Sequence, residues 1–256
     1  MEIGRVRIDG VGVHPLDKEG LLSWVDVRIA AARAGRAAGA LVMYSNVHVL
    51  NTAARDEELR AWLNAADLNY CDGAGVRLGG RLLGLDLPER MTGADWIWDL
   101  AARAEGRWRL YWLGGAPGVT ERAAALLSRR YPRLQIASDH GFHPRTGPEH
   151  EEELKRIEAF DPDILLVGMG TPVQERWAVA ARSRLRVPVI WVLGATADFV
   201  SGEVSRGPAL LFRHQEWLAR LMVDPRRLWR RYLLGNPAFL SRVLVERLRN
   251  TTRAEP

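Results

Sequence analysis

Trp108-Arg109-Leu110-Tyr111-Trp112-Leu113 runs straight into Gly114-Gly115-Ala116-Pro117-Gly118, and a helix-forming stretch follows to Arg130. An apolar run this short, closed by glycines and followed by a helix, is the unit from which parallel sheets are built. The unit recurs downstream. Asp163 to Val167 is apolar and ends in Gly168-Met169-Gly170-Thr171-Pro172 before another helix, and Val187 to Leu193 ends in Gly194-Ala195-Thr196. Ahead of both, Leu134 to Ala137 reads as a strand, and an acidic helix is expected from about Pro148 to Phe160. The strands are apolar along their whole length rather than alternating, so both faces of the sheet are covered.

Working toward the N-terminus, Leu68-Asn69-Tyr70-Cys71 is a short strand ending at Asp72-Gly73, and Leu41-Val42-Met43-Tyr44 is another, ending at Ser45-Asn46. A helical stretch between them extends to about Asn64, and residues 17 to 35 read as a helix. Arg5 to Val13 alternates like a strand around a glycine turn at Gly10. Toward the C-terminus, the region from Pro208 reads as two or three helices, broken at Asp224-Pro225 and at Gly235-Asn236-Pro237. The expected class is therefore α/β. It comprises a Rossmann-like parallel sheet flanked by helices, a small N-terminal strand/helix region and a C-terminal helical appendage. The expected division is a catalytic α/β domain over 1–205, with lobes of about 1–105 and 106–205, and an appendage over 206–256.

The 256 residues are 47% hydrophobic, enough for a substantial core. The single cysteine, Cys71, rules out an intramolecular disulfide and reads as a buried thiol. No apolar run approaches the roughly 20 residues of a membrane span, and Met1-Glu2-Ile3-Gly4-Arg5 lacks an apolar signal region, so a cytoplasmic location is expected. The net charge of +5 is unevenly placed. Residues 206–256 hold 11 arginines and 4 acidic residues, whereas residues 1–205 are slightly acidic. In the tail, Arg213, Arg220, Arg226, Arg227, Arg230 and Arg231 interleave with Trp217, Leu221, Leu228, Trp229, Tyr232 and Leu233. This mixture suits an anionic membrane surface, with rings at the headgroups and guanidinium groups on phosphate. A helical lid packed on the domain, or an RNA-binding face, would use the same residue types.

Ligands of open parallel sheets bind beyond the carboxyl ends of the strands. The residues at those points are Asn46, Asp72, Gly114-Gly115, Gly168 to Gln174 and Gly194 to Asp198, the polar or glycine-rich points of the chain. Asp72 can take a proton from an attacking hydroxyl or, alternatively, cap the next helix. Arg90 can neutralise a diphosphate or form a surface ion pair with Glu89 or Asp95. Gly114 and Gly115 can open backbone amides to phosphate or merely make a tight turn. Gln174 can hydrogen-bond a sugar or base, or help to cap its own helix. Neither a dinucleotide fingerprint nor a Walker A motif is present, so a nicotinamide-dependent oxidoreductase is disfavoured. Asp161-Pro162-Asp163 has the D-x-D form of a metal motif but precedes its strand, at the wrong end of the sheet. Asp139, His140 and His143 lack a partner at zinc-like spacing and read as a loop.

From about Asn46 to Tyr232 the chain resembles the WecG/TagA/CpsF bacterial glycosyltransferases. The pieces that carry the resemblance are Asn46-Val47-His48, Asp72-Gly73-Ala74-Gly75-Val76, Pro88-Glu89-Arg90-Met91-Thr92-Gly93 and Leu113-Gly114-Gly115. Further matches are Gly168-Met169-Gly170-Thr171-Pro172-Val173-Gln174-Glu175-Arg176-Trp177, Gly194-Ala195-Thr196-Ala197-Asp198-Phe199, and Glu216 through Tyr232. Tyr44 departs from the family, which often has threonine there. The resemblance implies an inverting transfer from a UDP-sugar such as UDP-N-acetylmannosamine, without a metal or other cofactor. The acceptor it implies is a polyprenyl-diphosphate-linked sugar used in surface polysaccharide or teichoic acid synthesis. Asp72 would be the general base. Asn46, Arg90 and Gln174 would line the donor pocket, joined by the strand-end residues Gly114, Gly115 and Asp198. Arg220, Arg227 and Arg230 would close over the site and touch the inner face of the plasma membrane. Nucleic acid is not an expected partner, and self-association is left open. The rival reading is a non-enzymatic α/β module binding RNA or membrane through its basic tail.

Overall fold

The strand opening at Arg109 lies inside a six-stranded sheet in the computed structural model, which describes residues 3–204, 221–222 and 225–253. In chain order the sheet strands are β3 (Ala40–Ser45), β4 (Leu68–Cys71), β5 (Arg109–Gly114), β6 (Gln135–Asp139), β7 (Ile164–Gly168) and β8 (Val189–Val192). They lie side by side as β4-β3-β8-β7-β5-β6, and every pairing is parallel. Every residue of β3, β4, β7 and β8 is buried, which is the covered-sheet pattern their composition demanded. The edge strand β6 is the partly exposed one.

Helices carry the chain between strands. They are α1 (Lys18–Arg33), α2 (Val47–Ala53), α3 (Glu57–Ala65), α4 (Ala74–Leu82), α5 (Gly93–Ala104), α6 (Val119–Arg130), α7 (Pro148–Phe160), α8 (Val173–Arg182) and α9 (Thr196–Val200). The stretch expected to be one helix up to Asn64 is two, because Asp56 caps α3 by accepting from Leu59 N at 3.0 Å. The connection through α6 steps from β5 outward to β6, whereas α8 carries β7 the other way to β8. A crevice at the carboxyl ends follows where the two directions part. There the backbones come very close. A Cβ on Gly114 would strike the carbonyl oxygen of Gly168, and one on Gly168 would strike that of Gly194.

The N-terminal segment is a hairpin, β1 (Val6–Ile8) and β2 (Val11–Val13), turning through Asp9 and Gly10 at φ 51° and 77°. It is docked beside β4, since His14 N donates to Asn69 O at 2.7 Å and Asn69 Nδ2 donates to Gly12 O at 2.8 Å.

The C-terminal helices differ from expectation. Helix α10 (Pro225–Trp229) passes through a π-helical turn, Arg230–Leu234, into α11 (Gly235–Arg253) without interruption. Gly235 is helical at φ −69°, so Gly235-Asn236-Pro237 does not break the helix. Pro237 stands in the first turn of α11, where a missing N–H is tolerated, and the wider π turn ahead of it takes up the irregularity. Helix α11 lies against α2 and α4 and is fastened to the hairpin turn. Arg242 donates to both carboxylate oxygens of Asp9 at 2.7–3.0 Å and to Asn51 Oδ1 at 2.7 Å. Among the described residues, no helix is long and apolar enough to cross a membrane.

Candidate active site

Asp72 follows the last residue of β4, and its own N–H donates to Ser45 O at 2.8 Å, so the backbone stays in register with β3 up to the site. Gly73 then turns the chain at φ +98°, a region costly for any residue with a Cβ. The N-cap of α4 is Gly73, with no side-chain cap, so Asp72 is not spent on capping. Its carboxylate faces Asn46 instead, with Asn46 Nδ2 donating to Asp72 Oδ2 at 3.1 Å. The other end of the same amide caps α2, where Asn46 Oδ1 accepts from Val49 N at 3.0 Å. The cap therefore fixes the amide, and the amide fixes the carboxylate.

A cavity of about 590 Å³ opens on this pair. Its polar lining is Asn46, Asp72, His48, Arg90, Thr92, Arg231 and Asn236; its remaining walls come from α2, α4, the π turn and α11. Arg90 lines the cavity while pairing with Asp95 at 3.3 Å, one of the two partners considered for its ion pair. Arg231 enters from the π turn beside His48. Burial, helped by the nearby Arg231 charge, lowers the His48 pKa to about 4. The ring is thus neutral near pH 7 and offers one donor and one acceptor. Behind the site, burial first and the Asp72 charge second push the Cys71 thiol up to about 12, which leaves it an inert core group.

The other candidates lie elsewhere. Gly114 and Gly115 are outside the cavity, at the end of β5, with Gly115 N donating to Gly168 O and Gly141 N to Gly115 O, both at 2.9 Å. Gln174 is wholly buried. Its Nε2 donates to Tyr44 Oη at 3.2 Å and Glu175 Oε1 at 2.8 Å, and its Oε1 accepts from Gly194 N at 3.1 Å. It braces the end of β8 from below instead of lining the cavity. Burial drives the neighbouring Glu175 carboxyl above its usual range despite hydrogen bonds from Gln174 and Thr171. Asp198 sits on α9, apart from the cavity. Arg230 is exposed and lies over the Trp229 ring at 5.3 Å, while its neighbour Arg231 is the one at the cavity. Arg220 and the side chain of Arg227 lie outside the described residues.

Two further motifs take structural roles. Asp161 and Asp163 stand at the amino end of β7, and Arg33 of α1 pairs with both, at 3.0 and 2.7 Å. Among the described residues, Asp139, His140 and His143 bring three potential donor atoms within 4.8 Å of one another. The two rings stack at 4.0 Å, and Asp139 is shared by His143 at 3.0 Å and Arg156 at 2.7 Å. Burial works to raise the Asp139 pKa, but these two partners hold it below the usual carboxylate range. The arrangement fastens the loop after β6 beside Gly115.

The Glycosyl transferase WecG/TagA/CpsF family model matches residues 6–253. The chain belongs to this family. It is 31% identical over 208 residues, 80% of this chain and 79% of the relative, to an N-acetylglucosaminyldiphosphoundecaprenol N-acetyl-beta-D-mannosaminyltransferase of Bacillus spizizenii. It is 28% identical over 204 residues, 79% of this chain and 78% of the relative, to the protein of the same name from Staphylococcus aureus strain MRSA252. The protein is a glycosyltransferase by family. The structure of this transferase brings Asp72, Asn46 and Arg90 into one cavity, and it adds His48, Thr92, Arg231, Tyr232 and Asn236, which were not singled out as site residues. His48 and Thr92 stand inside the motifs quoted for Asn46 and Arg90, which was the available signal. Arg231 is adjacent to the chosen Arg230, and neighbours on a helix point in different directions, about 100° apart.

Proposed function

We propose that this transferase moves an N-acetylhexosamine, with UDP-N-acetylmannosamine as the reference donor, onto a polyprenyl-diphosphate-linked N-acetylglucosamine. The observation that carries the proposal is the Asp72 carboxylate held by Asn46 in a cavity also lined by Arg90 and Arg231. The relatives' names supply the acceptor class and the transferred sugar.

An acceptor hydroxyl attacks the anomeric carbon of the donor from the face opposite UDP. The new carbon–oxygen bond forms as the bond to the diphosphate breaks, so the configuration inverts. Asp72 takes the hydroxyl proton, and the electron pair of the broken bond leaves with UDP. The sugar passes through an oxocarbenium-like state while negative charge grows on the diphosphate. The guanidinium groups of Arg90 and Arg231, both in the cavity lining, would meet that charge. Asn46 keeps the carboxylate aimed, and neutral His48 is available for a sugar hydroxyl. Arg220, Arg227 and Arg230, in the appendage of residues 206–256, would close on the lipid diphosphate and hold the protein at the inner face of the plasma membrane.

The test is UDP release from a panel of UDP-sugars, with and without a short-chain polyprenyl-diphosphate-N-acetylglucosamine. Acceptor-dependent release with one donor is expected. A protein that binds no UDP and releases none with any pair would overturn the reading.

A further inference from the structure

The cavity has two characters, and they come from different parts of the fold. Its ionisable groups, Asp72, Arg90, His48 and Arg231, cluster about the strand-end loops, the first turn of α2 and the π turn. Its apolar lining is Val47, Leu78, Leu233, Pro237, Phe239 and Leu240. Leu78 stands one helical turn farther along α4 from Asp72 than Ala74, and Leu240 one turn farther along α11 than Asn236. This apolar wall is rigidly built. Phe239 is fully buried and packs so closely on Gly79 that a Cβ there would lie 2.7 Å from the ring. The wall is also open, with Leu78 47% and Leu233 53% exposed. Beyond it α11 continues outward with Leu244 and Leu248 exposed.

A sugar or nucleotide placed against six such side chains would leave hydroxyls or ring nitrogens without partners, which costs more than burying apolar surface. A hydrocarbon chain meets no such cost and gains from burial. At about 590 Å³ the cavity has the size of a small-ligand site, sufficient for the reacting groups and the start of a chain, not for a whole lipid.

We propose that the apolar half of this cavity seats the first isoprene units of the acceptor, so that the lipid itself is recognised by the site and does not serve only as a membrane tether. The inference rests on the lipid-linked acceptor proposed above. In it Leu78 and Leu233 flank the chain that leaves the acceptor diphosphate.

The experiment uses the full-length protein in buffer free of vesicles and detergent, where membrane partition adds nothing. The acceptors are N-acetylglucosamine diphosphates carrying one, two or three isoprene units. For the unaltered protein KM for acceptor is expected to fall by about tenfold or more from one unit to three. In Leu78→Gln and Leu233→Gln, both at exposed positions that the fold tolerates, that dependence shrinks several-fold, and a two-step thermal comparison confirms that each variant is folded. Transfer with a KM that is flat in chain length, or a dependence equal in all three proteins, overturns this inference and leaves the proposed function standing. Absence of transfer to every acceptor overturns both.

Discussion

At the carboxyl ends of β3 and β4 the chain presents side chains, whereas at the ends of β5, β7 and β8 it presents backbone. The first region holds Asn46 and Asp72 on adjacent strands, joined by a 3.1 Å hydrogen bond. The second holds Gly114, Gly168 and Gly194, packed so tightly that no Cβ fits between Gly114 and Gly168 or between Gly168 and Gly194. One region carries a carboxylate with a fixed direction. The other offers shape and amide dipoles, and its polar side chain, Gln174, is turned inward to hold Gly194. The cavity opens at the first region, and the second lies outside it.

Substitutions should break the two regions in different ways. Asp72→Asn, the largest expected effect, should lower the transfer rate about 10²–10⁴-fold, the usual share of a general base, with the fold intact. Gly114→Ala should act on stability instead. With φ +152° and the Gly168 carbonyl in the way, it should cost about 2 kcal/mol or more in denaturant unfolding. Asn46 links the two kinds of effect. Asn46→Ala should lose about 1 kcal/mol of helix capping and slow transfer as well. Asn46→Ser keeps a capping oxygen but removes the donor to Asp72, so it should keep the stability and lose only rate, by roughly tenfold. A rate equal to that of the unaltered protein would show that Asn46 serves α2 alone.

Two smaller effects follow from charge. The raised Glu175 carboxyl favours its neutral form in the folded state, so the stability it supplies is full below about 4.5 and is lost as pH rises through its folded value. Glu175→Gln should therefore gain on the unaltered protein as pH is raised, read from unfolding at several pH values. His48 acts in the opposite sense. Its pKa is depressed from 6.5 to about 4, so the unfolded chain binds the proton first and stability falls as pH drops through that window. His48→Gln should reduce that loss, and an unchanged slope would mean that the ring is charged or solvated in the folded protein.

The sheet was legible because its signals are local. An apolar run, a glycine and a helix stand side by side in the chain, and each strand end could be located without knowing its neighbours. Asp72 and Asn46 were legible for the same reason, being polar residues at strand ends, whereas Arg90 stands in the loop between α4 and α5. Gln174 has the same local look, yet its environment is set by Tyr44, 130 residues away, and by Gly194, and no spacing reveals that. The part played by α11 in the cavity wall was hidden too. Gly235-Asn236-Pro237 has the composition of a break, and only the π turn and the Arg242–Asp9 pair explain why the helix continues across α2 and α4. Arg231, rather than Arg230, lies near enough to His48 for its charge to act on the ring.

The central proposal is that Asp72 serves the chemistry while other residues of the cavity hold the donor. The most direct test measures the UDP-sugar dissociation constant and acceptor-dependent UDP release on the same preparations of the unaltered protein and Asp72→Asn. The account predicts a dissociation constant changed by less than about threefold and release lowered by at least about 10². A loss of donor affinity as large as the loss of rate would contradict it and assign Asp72 to binding.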